Sequence, residues 1–274
     1  MAREFISLVP EGSPHRVAGE RRVILRNISL QILTTRLIEL NSWNLEGLND
    51  PFWRLYSPVS GRAIVWAEMD SGEVETELIP GRAYLIPPRT TLRSTNPEPF
   101  SKWYVHFSLG LSGDRATPGV YLVELTESMQ ANLAKLPSLT EVPFPWISAA
   151  LVAEALQQLP ADVWMKHRVD SRVERAMDFM HANLTRKLSA EGIAAEAGLS
   201  VRNLNHLFQQ HVQMAPMRVL LDFRLDKACR LLRHNDTSIE QIAEECGFPN
   251  RYYFSRMLKQ HRGTSPAAYR RAEV

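Results

Sequence analysis

The fold of the C-terminal third of this 274-residue chain is decided by the stretch Ser238-Ile-Glu-Gln-Ile-Ala-Glu-Glu-Cys-Gly-Phe248. Its apolar residues are spaced i, i+3, i+4 and i+7, so they share one face of a helix. They are Ile239, Ile242, Ala243 and Cys246. Ser238 and Gln241 have the spacing of a capping box at a helix start. Gly247 predicts the helix end, because glycine enters a left-handed turn without steric cost.

A second helix is predicted over residues 250–260. The same pattern of two helices occurs once more in the sequence, about fifty residues earlier. The predicted buried positions are Phe254, Met257, Leu258 and His261, which correspond to Leu204, Leu207, Phe208 and His211. The predicted outward positions are Tyr252, Ser255, Arg256 and Lys259, which correspond to Arg202, Asn205, His206 and Gln209. The first helices of the two units match at an offset of forty-nine residues. Ser189, Ala194 and Gly198 correspond to Ser238, Ala243 and Gly247. One unit therefore has one more residue in its turn.

Each unit has the requirements of a helix-turn-helix: a small alanine in mid-helix, a glycine four residues later, and a second helix about three residues beyond. One copy would be a weak signal, but two copies in register are a strong one. Residues 217–234 between the units have apolar residues at helical spacing and contain no glycine or proline. Such a helix would be about 27 Å long, of the order of the roughly 34 Å between successive major-groove faces of DNA.

The C-terminal motifs resemble the signature of AraC/XylS-type transcription regulators. The resemblance rests on the quoted run, on Tyr253-Phe-Ser-Arg-Met-Leu-Lys259 and on Gly263-Thr-Ser-Pro-Ala-Ala-Tyr-Arg270, with the upstream copy matching the first unit of that family. It covers about residues 173–271. The chain departs from the family pattern at Gln213, Ala215, Tyr252 and Arg262.

The resemblance implies a sequence-specific regulator, an activator, that binds double-stranded DNA and contacts the transcription machinery. We place the DNA-binding domain at residues 170–274, with helix-turn-helix units at about 188–211 and 237–261. Arg202, Asn205 and His206 are predicted to enter one major groove, and Arg251, Tyr252 and Arg256 the next. Ser200, Asn250 and Lys259 are predicted to contact phosphates, and Asn203 completes the DNA-binding set. The alternative for each outward residue is plain solvent exposure.

Composition and charge agree with a two-domain protein. The length suffices for two cores. Residues 170–274 carry 16 Lys and Arg against 12 Asp and Glu, whereas residues 1–169 carry 16 against 18. The positive excess therefore lies with the repeat, as a phosphate-binding surface requires. The two cysteines, Cys229 and Cys246, lie on apolar helix faces and are interpreted as packing residues.

The chain has no uncharged apolar run approaching the roughly 18 residues of a membrane helix. Its first residues are unlike a signal peptide. These features predict a cytoplasmic protein that does not associate with membranes.

The N-terminal part predicts β-structure. Residues 1–27 have no clear period and are interpreted as an arm. Short β-rich runs then occur at 30–40, 53–56, 62–69, 73–78, 83–86 and 103–109, separated by turn residues. This spacing indicates an antiparallel sandwich or barrel. The fold class is therefore α+β, with an N-terminal domain of residues 1–160, a linker at 161–169 and the all-α C-terminal domain.

The stretch Pro80-Gly-Arg-Ala-Tyr-Leu-Ile-Pro-Pro-Arg-Thr-Thr91, followed by Trp103-Tyr-Val-His-Phe107, resembles the cupin-like effector domain of sugar-responsive members of the same family. This second resemblance covers about residues 30–112. It implies that the N-terminal domain is an antiparallel β-barrel with flanking helices, and that it binds a sugar or related polyol.

Alternation on the last of these strands places Lys102, Tyr104 and His106 on one face and the aromatic and aliphatic residues on the other. Either the polar set lines a ligand cavity, or the apolar set packs the core and the polar set is solvated. The cupin resemblance favours the cavity, so these three residues and Arg93 are the predicted effector-binding residues.

No catalytic, metal or cofactor site is predicted. Metal-binding cupins need several histidines and a carboxylate around one ion, but Leu92 and Arg93 stand where histidines would be expected and His106 is alone. We therefore predict that the protein is not an enzyme. A cupin-type enzyme or isomerase with an appended DNA-binding module is the alternative.

Two further helices are predicted, at 125–136 and 146–159. The second has an apolar stripe of Ile147, Leu151, Ala155 and Leu159, which is either a dimer seam or a cover for the open end of the barrel. The resemblance tilts this choice towards a homodimer formed through the N-terminal domain.

Overall fold

The computed structural model describes residues 30–69, 72–110, 114, 116–136, 144–164 and 170–271. In these residues the N-terminal part contains two β-sheets and two helices, and the C-terminal part is helical. The predicted arm at residues 1–27 lies outside the described residues, and so does most of the predicted linker, residues 165–169.

The described strands form two antiparallel sheets. The strands are β1 (Gln31–Leu40), β2 (Leu45–Leu48), β3 (Trp53–Ser60), β4 (Ala63–Met69), β5 (Gly72–Leu78), β6 (Arg82–Ile86), β7 (Leu92–Thr95), β8 (Phe100–Ser108) and β9 (Tyr121–Glu124). One sheet has the order β1-β8-β3-β6-β9 and the other the order β2-β7-β4-β5.

The prediction of a closed barrel is wrong for these strands, because no ladder joins one sheet to the other among them. The edges of the second sheet explain this physically. Strand β5 has Glu73, Glu75 and Glu77 along its length, and charged residues discourage further pairing on an edge strand. Strand β2 has only four residues, and its register with β7 shifts.

Two separate cores lie on the two faces of the five-stranded sheet. Its outer face packs against helices α1 (Glu127–Lys135) and α2 (Phe144–Gln157), and this core includes Trp103, Val105 and Phe107. The apolar stripe of α2 belongs to the same core, in which Leu151 and Ala155 are fully buried. The stripe therefore covers the sheet. The inner face of the sheet packs against the four-stranded sheet and forms the second core.

The C-terminal part is built from α3 (Ser171–Ala182), α4 (Ala190–Glu196), α5 (Val201–His211), α6 (Pro216–His234), α7 (Ile239–Glu245), α8 (Arg251–Arg262) and α9 (Pro266–Arg271). Helices α4 and α5 form the first unit, and α7 and α8 the second. Helix α6 joins the two units. It contributes Val219 and Leu220 to the hydrophobic core of the first unit, and Leu225 and Cys229 to the hydrophobic core of the second unit. Both cysteines are fully buried, as predicted: Cys229 lies on α6, and Cys246 directly follows α7.

The helix starts confirm the repeat. The capping box of Ser238 and Gln241 is formed at the start of α7, and Ser189 caps α4. The capping residues of the two first helices are 49 positions apart, whereas those of the two second helices, Ser200 and Asn250, are 50 apart. The extra residue of the second unit thus lies in its turn.

The turn of the second unit requires glycine for two reasons. Gly247 has a φ of +74°, a conformation that other residues adopt only at a steric cost. A Cβ atom at this position would also lie 2.1 Å from the backbone oxygen of Leu184. The same oxygen accepts a hydrogen bond of 2.9 Å from Nε of Arg224 on α6, so the turn of the second unit packs directly against the segment between α3 and α4.

Candidate nucleic-acid interface and interior polar cluster

The first candidate contact surface is the outward face of α5. Leu204 and Phe208 are fully buried, and this anchors the helix with its polar side outward. The exposed residues of that side include Arg202, Asn203, Asn205 and His206. The amide nitrogen of Asn205 donates to the carbonyl oxygen of Val201 at 2.9 Å, so reading a base with this group would require it to leave that bond.

The second candidate surface is the outward face of α8, where Arg251, Tyr252, Arg256 and Lys259 are exposed. The Tyr252 side chain is 73% exposed, which is unusual for a large aromatic residue. It accepts a hydrogen bond of 3.1 Å from Nη2 of Arg251. The guanidinium carbon of Arg256 lies 5.3 Å from the centre of the Tyr253 ring, so its planar group is held near the surface.

Ser200 and Asn250, which we predicted to contact phosphates, also cap the N-termini of α5 and α8. The Ser200 hydroxyl accepts from the backbone nitrogen of Asn203 at 3.2 Å, and Oδ1 of Asn250 accepts from that of Tyr253 at 2.9 Å. Each side chain caps its helix. The hydroxyl proton of the serine and the amide nitrogen of the asparagine are donors that these caps do not use.

The polar set on β8 is not solvated. Lys102 and His106 are fully buried and Tyr104 is 6% exposed, and Tyr104 belongs to the core between the two sheets. Strand β3 pairs with β8 so that Arg54 lies opposite His106 and Tyr56 opposite Tyr104. We call Arg54, Tyr56, Lys102, Tyr104 and His106 the interior polar cluster.

Aromatic rings surround the charged end of Lys102. Its Nζ lies 3.5 Å from the centre of the Trp43 ring and 3.8 Å from that of Tyr56, and it has no hydrogen-bond partner among the described residues. Burial, together with the positive charge of Arg54, holds the pKa of Lys102 well below its ordinary value. Each cation–π contact offsets only part of the cost of burying an ammonium group.

His106 is enclosed in a similar way. Its ring centre lies 4.7 Å from the ring centres of Phe52 and Tyr104 and 5.3 Å from that of His234, which ends helix α6. Neither ring nitrogen has a hydrogen-bond partner in the described part of the chain. Burial, and next the charge of Arg54, holds the pKa of His106 well below its ordinary value, so the imidazole is neutral at pH 7.

Arg93 does not lie with these residues. On β7 the side chains of Leu92 and Ser94 are buried whereas Arg93 is exposed, because neighbouring residues of a strand face opposite sides. Its guanidinium group donates to both carboxylate oxygens of Glu73 at 2.6 Å and lies over the Trp66 ring. The structure thus does not bring Arg93 together with the other three predicted effector-binding residues.

A buried carboxylate that the sequence did not single out connects the two parts of the chain. Asp50, in the loop before β3, lies 2.5 Å from Nη2 of Arg54 and 3.5 Å from Nε of Arg233 on α6. It also accepts a hydrogen bond from the Tyr269 hydroxyl on α9. Burial alone would raise the pKa of Asp50, but the two guanidinium groups outweigh it and lower this pKa. We call these four residues the Asp50 network.

A second ionic contact between the two parts joins Arg89, which follows β6, to Asp226 on α6. Asp226 also accepts from Arg262 of α8 at 2.8 Å. The two parts of the chain enclose a cleft of about 900 Å³ beside this contact. Partners this distant along the chain leave no local signal in the sequence, which is why neither contact was predicted.

Two further observations concern the described residues as a whole. They contain no group of three or more His, Cys, Asp or Glu side chains placed to hold a metal ion. Their helices include none whose length and apolar character would let it cross a membrane.

Two helix-turn-helix units joined by one long helix, together with a two-sheet domain that encloses a polar cluster, define a two-part protein of the helix-turn-helix class. Residues 193–272 match a family described as "Helix-turn-helix domain". This match covers the second helix-turn-helix unit and most of the first, and it supports the helix-turn-helix interpretation of the C-terminal motifs.

Two relatives illustrate the extent of the match. The HTH-type transcriptional activator RhaS of Escherichia fergusonii is 36% identical over 101 residues, which are 37% of this chain and 36% of that protein. The match therefore spans about a third of the length of RhaS. The raffinose operon transcriptional regulatory protein RafR of Pediococcus pentosaceus is 24% identical over 215 residues. The match covers 72% of this chain and 78% of the length of RafR.

Among solved structures, ToxT from Vibrio cholerae superposes on this chain with a TM-score of 0.56 and 15% identity. The superposition covers 90% of this chain and 99% of the ToxT chain. At this identity the likeness concerns the fold alone. It extends over both parts of the chain, the two-sheet part as well as the helical part.

Proposed function

We propose that the chain is a transcription regulator that binds specific DNA sequences with its two helix-turn-helix units and responds to a small molecule held by its N-terminal domain. The observation that carries this proposal is the pair of equivalent polar faces on α5 and α8. In both helices two apolar residues are fully buried, and the corresponding polar positions are exposed except Ser255, which is half-buried. The names of the relatives RhaS and RafR are those of transcriptional regulators.

In this proposal the two faces read base edges in neighbouring major grooves. Arg202, Asn205 and His206 enter one groove, and Arg251, Tyr252 and Arg256 enter the next. Arginine recognises guanine through two hydrogen bonds and asparagine recognises adenine, and each good pair contributes about 1–3 kcal/mol of discrimination. Helix α6, with 19 residues, would be about 28 Å long, a length suited to presenting both units to one side of a duplex.

The remaining contacts position the protein on the backbone of the DNA. Lys259, Ser200 and Asn250 donate to phosphate oxygens, and Asn203 lies beside them at the start of α5. The two capping residues place their donors at helix N-termini, where the helix dipole favours an anion.

The effector is bound by the interior polar cluster, with Lys102, Tyr104 and His106 as its contacts on β8. A sugar or related polyol is one candidate, because aromatic rings and polar donors suit such ligands and because RafR is named for a raffinose operon. A fatty acid is the second candidate, since one ToxT structure is described as bound to an unsaturated fatty acid.

Several wider features belong to the same proposal. The chain acts in the cytoplasm as an activator that contacts the transcription machinery, and it forms a homodimer through its N-terminal domain. Trp146, which is 76% exposed at the start of α2, is a suitable dimer contact. The chain is a regulator and not an enzyme, so turnover of a sugar by the purified protein would contradict the proposal.

The phosphate contacts are tested by Lys259→Ala. Loss of one phosphate contact is expected to weaken binding to specific and non-specific DNA alike, and to reduce the slope of log affinity against log salt by about one. Gel-shift titrations at several salt concentrations measure both quantities. Arg175→Ala is the matched control, because Arg175 is an exposed cation on α3, outside both recognition faces. An unchanged slope in Lys259→Ala would remove this residue from the DNA contacts.

A further inference from the structure

The interior polar cluster has many hydrogen-bond donors and few acceptors. Nε and Nη1 of Arg54, Nζ of Lys102 and both ring nitrogens of His106 are buried without hydrogen-bond partners among the described residues. The Tyr56 hydroxyl is also buried without a hydrogen-bond partner among these residues. Buried polar groups in native proteins are nearly always paired, so this many unpaired polar atoms in one place, most of them donors, call for a specific explanation.

The charges of the cluster are also unbalanced. Arg54 is always protonated, and its one described counter-charge is Asp50, which it reaches through Nη2. Asp50 also lies 3.5 Å from Nε of Arg233, so this carboxylate does not serve Arg54 alone. No carboxylate is paired with Nζ of Lys102 among the described residues, where this atom lies over the rings of Trp43, Tyr56 and Tyr104. An uncompensated buried cation is costly, and an anion inside the cluster would remove that cost.

We propose that the interior polar cluster binds the carboxylate group of an anionic effector, with Arg54 and Lys102 donating to its two oxygens. This inference rests on the proposed function and names the chemical class of its effector. The Nε and Nη1 atoms of Arg54, which Asp50 leaves free, supply two donors of one guanidinium group. The His106 imidazole supplies a further N–H, and the rings of Trp43, Phe52 and Tyr104 cover the apolar part of the ligand.

A neutral sugar satisfies this arrangement less well than a carboxylate does. Every sugar hydroxyl brings a donor that needs an acceptor, whereas an ionised carboxylate only accepts. Hydrogen bonds from a charged donor to a carboxylate are also about twice as strong as bonds between neutral groups. Sugar acids and fatty acids share the carboxylate, and the experiment below separates these two sources.

The class of ligand is tested by thermal unfolding of the full chain at constant ionic strength with sodium galacturonate, galactose or sodium hexadecenoate. Galacturonate and galactose differ only in the carboxylate. We expect at least one carboxylate to raise the melting temperature by about 5–10 °C at a hundred times its dissociation constant, and galactose to leave it unchanged. A higher melting temperature with galacturonate identifies the effector as a sugar acid. A higher melting temperature with hexadecenoate alone identifies it as a fatty acid.

The site itself is tested by Lys102→Met, with Lys187→Met, an exposed position, as the control. Methionine fills a similar volume without an unpaired amine, so the unliganded variant is expected to melt about 2–4 °C higher than the parent. It is also expected to lose the shift caused by the carboxylate. A lower melting temperature together with a retained shift would show that Lys102 is a packing residue, and would overturn the proposal.

Failure of this inference is distinguishable from failure of the proposed function, because DNA binding is measured in the same preparation. A protein that binds DNA but is stabilised by neither carboxylate, or equally by galactose, overturns the carboxylate site and leaves the DNA-binding function standing. A protein that binds no specific DNA sequence contradicts the proposed function, whatever its ligand.

Discussion

Arg256→Ala is expected to lower the ratio of specific to non-specific DNA affinity by roughly 5-fold to 150-fold, which corresponds to the loss of about 1–3 kcal/mol from one two-bonded arginine–guanine pair. Arg256 is exposed on α8 and carries no ion pair among those described, so its guanidinium group is available for a base. Arg202→Ala on α5 is expected to have an effect of the same order. Because the two residues lie on different helices, the effects should add in the double variant.

The measurement is a gel-shift titration with a specific sequence selected from random DNA and with an unrelated duplex as competitor. Arg175→Ala again serves as the control, since it removes an exposed cation of the same domain away from the recognition helices. Equal losses for the selected and the unrelated duplex would mean that Arg256 contacts phosphate. No loss for either duplex would mean that it is merely solvated.

Asp50→Asn is expected to lower the free energy of unfolding by about 3–5 kcal/mol, because it leaves Arg54 buried without its carboxylate and removes one charged partner of Arg233. The side chain of Asp50 is fully buried, and that of Arg233 is only 3% exposed. The amide of asparagine keeps the size of the carboxylate but not its charge. Since Arg54 is also a member of the interior polar cluster, the same carboxylate connects this cluster to α6 and α9.

Urea unfolding of the full chain measures this loss, and Glu73→Gln is the matched control. Glu73 forms an ion pair with Arg93 of comparable length, but both side chains are more than 40% exposed, and solvent-exposed pairs contribute little to stability. If Asp50→Asn were no less stable than Glu73→Gln, the Asp50 network would not hold the two parts of the chain together.

The helical part of the fold could be predicted from the sequence because its signals are local. A capping residue, an apolar face and a terminating glycine lie within ten residues of one another, and the second copy in register tests the first. The predicted helix at 250–260 is found as Arg251–Arg262, and the predicted helix at 217–234 as Pro216–His234. The prediction that Leu204, Phe208, Phe254 and Leu258 are buried is confirmed.

The β-structure was predicted less completely because its organisation depends on distant pairing. The strands β2, β7 and β9 have four residues each, too few for alternation to be recognised. Whether a set of antiparallel strands closes into a barrel depends on pairing between its edges, which no local pattern records. The prediction of a barrel therefore failed, although the long strands were placed correctly.

The interior polar cluster could be predicted only in part. Alternation along β8 grouped Lys102, Tyr104 and His106 correctly, but a single strand cannot tell which of its faces is enclosed. Arg54 and Tyr56 were missed because their strand was interpreted without its partner β8. Arg93 was grouped with the others on the basis of a resemblance, whereas the alternation of Leu92, Arg93 and Ser94 would have placed it on the opposite face from its two neighbours.

Methylation interference tests whether α5 and α8 occupy two successive major grooves of one duplex. Methylation of guanine N7 marks the major groove. We expect two groups of interfering guanines about 10 base pairs apart on one side of the duplex. One group should disappear in Arg202→Ala and the other in Arg256→Ala. A single group, or the loss of the same group in both variants, would contradict the account.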